Sequence, residues 1–264
     1  MARKIVVTSG KGGVGKTTIT ANLGMALAMQ NKRVVLVDVD IGLNNLDVVT
    51  GIENKIVFDI VDVIEGKCRA KQALVQDFSL PNLYVMPSAH SYNKSAVTAQ
   101  NVKNVVDSLN DYFDFVLIDC PAGIDEPFKR AVWGADEALV VVTPHLSSIR
   151  DADKVLLMLD SFGITNHSLV VNRVRGDMVV DRNMLEPKKI AEVLNSTLSG
   201  IVPEDDSITT FLSIGRTVSR ECESFLAFEL LAKNILGNST KLFDCTTKYK
   251  GLFGFLKRVI KKRV

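Results

Sequence analysis

Short runs of consecutive apolar, largely β-branched residues recur along the chain, at residues 4–7, 33–37, 83–86, 113–119, 137–143, 169–172 and 198–202. Continuous apolar character over so few residues, in place of alternation, marks strands covered on both faces, as in parallel sheets. Between them lie stretches with helical spacing. Residues 17–30 (TTITANLGMALAMQ) form the first, and residues 99–109 put Val102, Val105, Val106 and Leu109 on one core-facing side. Residues 57–65 and 69–75 read as two short helices separated by Gly66. Pro144 to Ser148 opens a helix running to about residue 161, with Ser147 or Ser148 as N-cap. Residues 207–214 and 225–236 are the last helices of this series, and Gly237 is a stop signal. Strands alternating with helices predict an α/β fold: a doubly wound, mostly parallel sheet with helices on both faces.

The periodicity changes after Gly237. Residues 238–250 (NSTKLFDCTTKYK) are polar and aperiodic and read as a linker. Residues 251–264 (GLFGFLKRVIKKRV) return to a helical pattern, with Leu252, Phe253, Phe255, Leu256, Val259 and Ile260 within about half a turn and Lys257, Arg258, Lys261 and Lys262 opposite. Arg263 falls on the apolar side, and Gly251 and Gly254 lower helix propensity. The expected organisation is a body over residues 1–237, a linker over 238–250 and a basic amphipathic helix over 251–264.

Charge sharpens this division. The net charge of +2 hides an asymmetry: residues 248–264 hold seven Lys/Arg and no acids, leaving 25 Lys/Arg against 30 Asp/Glu in the remainder. An acidic body with one basic, apolar appendage fits an anionic membrane surface and does not favour nucleic acid as the body's partner. Cys68, Cys120, Cys222 and Cys245 have no C-x-x-C spacing, so neither a zinc site nor a disulfide framework is expected, and a reducing cytoplasm is. Cys120 is read as a small core residue. His90, His145 and His167 lack ligand-like neighbours at motif spacing. No apolar run approaches a membrane span, and the first strand starts within a few residues of Met1, which predicts no signal or transit peptide.

Candidate chemistry begins at the first strand. Gly10 to Thr17 matches G-x-x-x-x-G-K-[ST], between a buried strand and a helix start. Gly12, Gly13, Val14 and Gly15 would wrap phosphate oxygens with backbone N–H groups. Lys16 would neutralise them, Thr17 would offer a hydroxyl to Mg²⁺, and Thr18 would continue the helix N-terminus towards the phosphates. Residues 33–37 run into Asp38 and Asp40, and residues 113–119 end in Asp119; carboxylates just past the carboxyl ends of parallel strands lie where such sheets bind ligands. Asp119 has Walker B character and would hold Mg²⁺ through a water.

The second lysine of the loop, Lys11, makes KGGVGKTT resemble the deviant Walker A motif of the MinD/ParA ATPase family. DVDIGLNNLD at 38–47, VLIDCPAGI at 116–124, VVNR at 170–173 and the basic amphipathic terminus extend the resemblance over essentially the whole chain. Asn44 stands where that family more often has Arg. The missing cluster cysteines separate the chain from the related nitrogenase iron proteins. The resemblance implies ATP and Mg²⁺ as ligands and an ATP-dependent homodimer in which Lys11 contacts the partner's nucleotide in trans, in the manner of an arginine finger. It implies that Asp40 orients the hydrolytic water or the metal shell, Asp38 reaches the metal through a water, and Gly123 brings its N–H to the γ-phosphate. Asn172 would recognise adenine, with Pro203 and Glu204 in a second base-contacting loop. A MinD-like member would be a cytoplasmic ATPase bound reversibly to the inner face of the cell membrane. It would recruit a MinC-type division inhibitor to place the septum, and a MinE-type activator is a further implied partner. A ParA-like DNA-partition ATPase and a MinD-like regulator of flagellar number are the alternatives within the family.

Overall fold

The computed structural model describes residues 1–42, 45–89, 97–251 and 254. In chain order these form β1 (Arg3–Thr8), α1 (Lys16–Ala28), β2 (Val34–Asp38), α2 (Leu46–Thr50), α3 (Ile60–Ile64), β3 (Val75–Gln76), β4 (Leu83–Met86), α4 (Ala99–Asp107) and β5 (Phe115–Asp119). The chain continues through α5 (Glu126–Val132), β6 (Glu137–Val142), α6 (Leu146–Ser161), β7 (His167–Val174), α7 (Gly176–Val180), α8 (Pro187–Val193), β8 (Thr197–Pro203), α9 (Asp206–Ser213) and α10 (Glu223–Ile235).

One eight-stranded sheet has the order β3-β4-β2-β5-β1-β6-β7-β8, parallel throughout except for β3 against β4. From β1 the chain first moves towards the β4 edge and later, from β5, towards the β8 edge. Right-handed crossovers in opposite directions place their helices on opposite faces, and the point of reversal leaves a crevice at the carboxyl ends of the central strands. All five residues of β2 and of β5 are buried, which is why their sequences are continuous apolar runs. The helix α1 is buried on nearly every side, between the sheet and α10. Gly24 permits this: a Cβ there would lie 2.5 Å from a methyl of Leu36 in β2.

Local chemistry shifts several expected boundaries. The helix expected over 57–65 starts only at Ile60, because the Asp59 carboxylate accepts N–H bonds from Val61 (2.7 Å) and Asp62 (3.1 Å), while Asp62 accepts from the Asp59 N–H. That capping box sets the first turn. Residues 69–75, expected as a helix, form instead a 3₁₀ turn, Ala70–Gln72, and then the antiparallel edge strand β3, since Val75 pairs with Val85 across a tight connection. Neither Ser147 nor Ser148 caps α6. His145 occupies that position, and the Ser148 hydroxyl accepts the Thr143 N–H (3.1 Å), fastening the helix to the end of β6. Residues 238–250, expected as a linker, carry buried Phe243, Cys245 and Tyr249 and a 3₁₀ turn, Thr247–Tyr249. No helix among the described residues is long and apolar enough to cross a membrane.

Candidate nucleotide-binding site

Residues 9–15 connect β1 to α1 at the carboxyl edge of the sheet, and their glycines answer different demands. Gly13 (φ 77°) and Gly15 (φ 96°) take left-handed conformations, which a side chain disfavours. Gly10 lies against α6, where a Cβ would sit 2.3 Å from the Asp151 carbonyl oxygen. The loop is braced from within and from outside. Ser9 Oγ donates to the Lys11 carbonyl (2.8 Å), and the Gly123 N–H donates to the Ser9 carbonyl (3.1 Å). No side chain caps α1 and its first turn holds no acid, so its leading N–H groups and positive dipole end are free for an anion. Lys16 is buried beneath the loop, whereas Lys11, Gly12 and Gly13 are exposed above it.

Three carboxylates gather under this loop. Asp38 and Asp119 are register partners at the ends of β2 and β5, each 1% exposed, and Asp40 follows two residues on, half-buried. Asp119 accepts from Thr17 Oγ1 (2.7 Å) and Thr20 Oγ1 (3.0 Å), and Thr20 lies one turn further along α1 on the same face. Burial pushes the Asp119 carboxyl up to about 6, against the pull of the Thr17 and Thr20 hydroxyls and the Lys16 charge. Asp38 is driven well above the ordinary carboxylate range by burial and by Asp119, although the N–H groups of Asp40 (2.9 Å) and Leu46 (3.2 Å) bond to it. Its two oxygens thus fasten the backbone of the segment after β2, and α2 with it. Burial also raises Asp40, against the attraction of Lys16.

This donor set suits a hard divalent ion that keeps most of its ligands as water and phosphate oxygen. No group of three or more His, Cys, Asp or Glu side chains capable of holding a metal occurs among the described residues. A cation beside Asp119 and Thr17 would relieve a buried carboxylate that is costly to ionise.

On the other side of the loop a pocket is lined by Gly15, Thr18, Asn172, Arg173, Pro203 and Glu204. The Asn172 amide is buried and donates from Nδ2 to the Val14 carbonyl (2.8 Å), so it braces the glycine loop as well as walling this pocket. A Cβ on Gly15 would lie 2.4 Å from that same Nδ2. Arg173 takes a left-handed φ of 57° where the β7–β8 register slips. The opposite wall is tied down twice. The Glu204 N–H bonds to the Val174 carbonyl (3.1 Å), and the Asp205 carboxylate accepts from the N–H groups of Ser207 (2.9 Å) and Ser224 (3.2 Å). Burial would raise Asp205, but these serine bonds outweigh it and hold its carboxyl below the usual range.

Gly12 through Thr18, Asp38, Asp40, Asp119, Gly123, Asn172, Pro203 and Glu204 therefore converge on one region, with Lys11 at its outer rim. Cys120 is fully buried, its thiol pushed up to about 12 by burial, as befits a core residue. Ser9, Thr20 and Asn22 were not singled out by motif. Asn22 bonds the Thr18 carbonyl (2.9 Å) and the Val218 N–H (2.9 Å), which ties the start of α1 to the chain after α9. Only the one-turn spacing from Thr17 hinted at Thr20. Leu252, Phe253, Phe255, Leu256, Lys257, Arg258, Val259, Ile260, Lys261 and Lys262, like Asn44 and His90, lie outside the described residues.

A family model described as an AAA domain matches residues 2–171. The chain is 45% identical to the septum site-determining protein MinD of Bacillus subtilis (strain 168), over 97% of each chain. Among solved structures it resembles the MinC:MinD cell division protein complex of Aquifex aeolicus (TM-score 0.85, 39% identity, 92% of this chain and 98% of that one). It also resembles the septum site-determining protein MinD complexed with Mg-ADP from Pyrococcus horikoshii OT3 (TM-score 0.80, 29% identity, 91% of this chain and 100% of that one).

Proposed function

The chain belongs to the MinD family of septum site-determining proteins, and we propose that it is a Mg²⁺-dependent ATPase that dimerises on ATP, binds membrane and recruits a MinC-type division inhibitor. The observation that carries this reading is the contrast between two lysines of one glycine loop: Lys16 buried within electrostatic reach of Asp40 and Asp119, Lys11 exposed at the rim.

In this reading the loop N–H groups and the N-terminus of α1 hold the phosphates, and Lys16 neutralises them from below. Thr17 directly, and Asp119 and Asp38 through water, would hold Mg²⁺, which when bound neutralises charge on the β- and γ-phosphate oxygens. Asp40 positions the attacking water. Gly123 has its N–H on the Ser9 carbonyl in the structure described, so reaching a γ-phosphate requires breaking that bond. The segment after β5 thereby acts as a sensor of the third phosphate. Lys11, exposed at the rim, reaches the nucleotide of a second copy in this reading, which makes hydrolysis conditional on dimerisation. Asn172 and the loop at Pro203 and Glu204 face the adenine.

The terminal segment 251–264 is the proposed anchor, placing the protein in the cytoplasm and reversibly on the inner face of the cell membrane. Each basic residue near an anionic surface contributes about 1 kcal/mol, and helix formation offsets much of the gain, so one tail binds weakly. Two tails in a dimer raise apparent affinity by roughly 10²–10⁴. Residence on the membrane then reads out bound ATP, and a MinE-type activator of hydrolysis would act as the release signal.

Sedimentation with anionic vesicles tests this. The full chain should sediment with ATP, far less with ADP, and not at all once residues 251–264 are removed. Sedimentation that ignores the nucleotide or survives the truncation overturns the anchor. Retention on DNA in place of vesicles would favour a ParA-like partition role.

A further inference from the structure

The helix after the glycine loop sends two hydroxyls to one carboxylate. Thr17 Oγ1 donates to Asp119 Oδ2 (2.7 Å) and Thr20 Oγ1 to Asp119 Oδ1 (3.0 Å), so each oxygen has a donor of its own, from successive turns of α1. The phosphate-loop motif accounts for Thr17. It does not account for Thr20, which is 0% exposed and lies beyond the motif's last residue.

A threonine inside a helix commonly bonds the carbonyl one turn back. Thr20 has that partner too: its Oγ1 lies 3.0 Å from the Lys16 carbonyl oxygen. A hydroxyl carries a single proton, so it donates to Lys16 or to Asp119 and not fully to both. The Lys16 carbonyl also faces the backbone N–H of Thr20 in the helical ladder, and an ionised carboxylate is the stronger acceptor. With Asp119 ionised, the form in which it serves a cation, the proton therefore belongs on Asp119. Satisfying a core threonine does not require this arrangement, since the Lys16 carbonyl alone would do.

The last torsion of an aspartate is soft, so its hydrogen bonds decide where its oxygens point. Thr17 is itself proposed as a metal ligand and is part of what must be positioned. Thr20 has no such duty, and the helix that carries it is buried on nearly every side. We infer that Thr20 is a positioning residue of the Mg²⁺ site: its hydroxyl fixes the plane of the Asp119 carboxylate, so that cation affinity depends on Thr20 while phosphate binding does not. This rests on the reading of Thr17 and Asp119 as the residues that hold Mg²⁺. Oriented donors behind the groups that hold a metal typically change its affinity roughly 10–100-fold.

The experiment titrates Mg²⁺ into the full chain carrying a fluorescent ADP, and measures ADP affinity separately in EDTA. ADP keeps hydrolysis and ATP-driven dimerisation out of the result. Thr20→Val, which exchanges the hydroxyl for a methyl of similar size, should raise the Mg²⁺ concentration at half-response about tenfold or more and leave ADP affinity in EDTA within about twofold. Thr20→Ser, which keeps the hydroxyl, should follow the wild type on both measures. Thr20→Ala carries the same expectation as Thr20→Val and takes its place if the β-branched variant does not fold. A midpoint that stays put in Thr20→Val or Thr20→Ala overturns the inference, as does a loss of ADP affinity in EDTA as large as the midpoint shift, or a Thr20→Ser as impaired as Thr20→Val. If neither Thr20→Val nor Thr20→Ala folds, the hydroxyl serves the fold and the inference is likewise overturned. A wild type whose bound ADP ignores Mg²⁺ refutes the reading of Thr17 and Asp119 as metal holders, and the role of Thr20 with it.

Discussion

Asp119 is an acid whose ionisation burial resists and a bound cation would favour. Its carboxyl, pushed up to about 6 from an ordinary 3.8, makes ionisation in the folded, nucleotide-free protein costlier by about 3 kcal/mol than in the unfolded chain. The folded value is the higher one, so the proton stabilises the native state. This contribution is full below about pH 4 and is lost as pH rises through about 6. Two results follow. Mg²⁺-dependent nucleotide affinity should be flat above about pH 7 and fall by up to tenfold per pH unit below about 6, as protons compete with the cation. Nucleotide-free Asp119→Asn, which keeps the shape without the charge, should be more stable than wild type at pH 8 by up to about 3 kcal/mol, with the gap about halved at pH 5 and closed by about pH 4. For a chain of this size that is a rise of a few degrees per kcal/mol. Calorimetric melting at several pH values and ADP titrations with and without Mg²⁺ measure both. A variant less stable than wild type at pH 8, or a wild-type affinity unaffected between pH 7 and 5, would falsify the role given to burial at this carboxylate.

Lys11→Ala should retain monomeric nucleotide binding within a few fold yet lose dimerisation, and size-exclusion chromatography with a slowly hydrolysed ATP analogue checks it; a normal dimer refutes the trans contact. Asp40→Ala should slow single-turnover hydrolysis on the order of 10²-fold or more with nucleotide affinity little changed, and an unaltered rate removes Asp40 from the water's path. Gly15→Ala imposes a side chain at a φ of 96° and drives its Cβ to 2.4 Å from the Asn172 amide. It should break the Asn172 bond to Val14, lower the melting temperature and abolish ADP binding by calorimetry; normal affinity would show that the amide brace is dispensable.

The clearest parts of the sequence were those in which a short stretch carries its own instruction. Apolar runs ending in Asp38 and Asp119 marked strands covered on both faces with carboxylates at their tips, because such strands have no polar side to show. Glycines at 10, 12, 13 and 15 before Lys16 marked a backbone-built anion site, and at 10, 13 and 15 a positive φ or a close approach disfavours other residues. The edge strand β3 was not legible, since Val75–Gln76 becomes a strand only by pairing with β4. The N-cap of α6 was misplaced because Ser148 finds a better partner in Thr143 than in its own helix.

What the sequence by itself determined was therefore the layered α/β plan, the glycine loop with its two lysines, and the carboxylates of the site. Each depends on the intrinsic preferences of neighbouring residues, which act before the chain is folded. Tertiary structure alone decided that Asn172 braces the loop at Val14, 158 residues away, that Thr20 shares Asp119 with Thr17, that Asp38 fastens the segment ahead of α2, and that residues read as a linker pack on Gly176. Those contacts join groups remote in the chain, and a hydrogen bond or a close approach between them exists only once the sheet has fixed their distance.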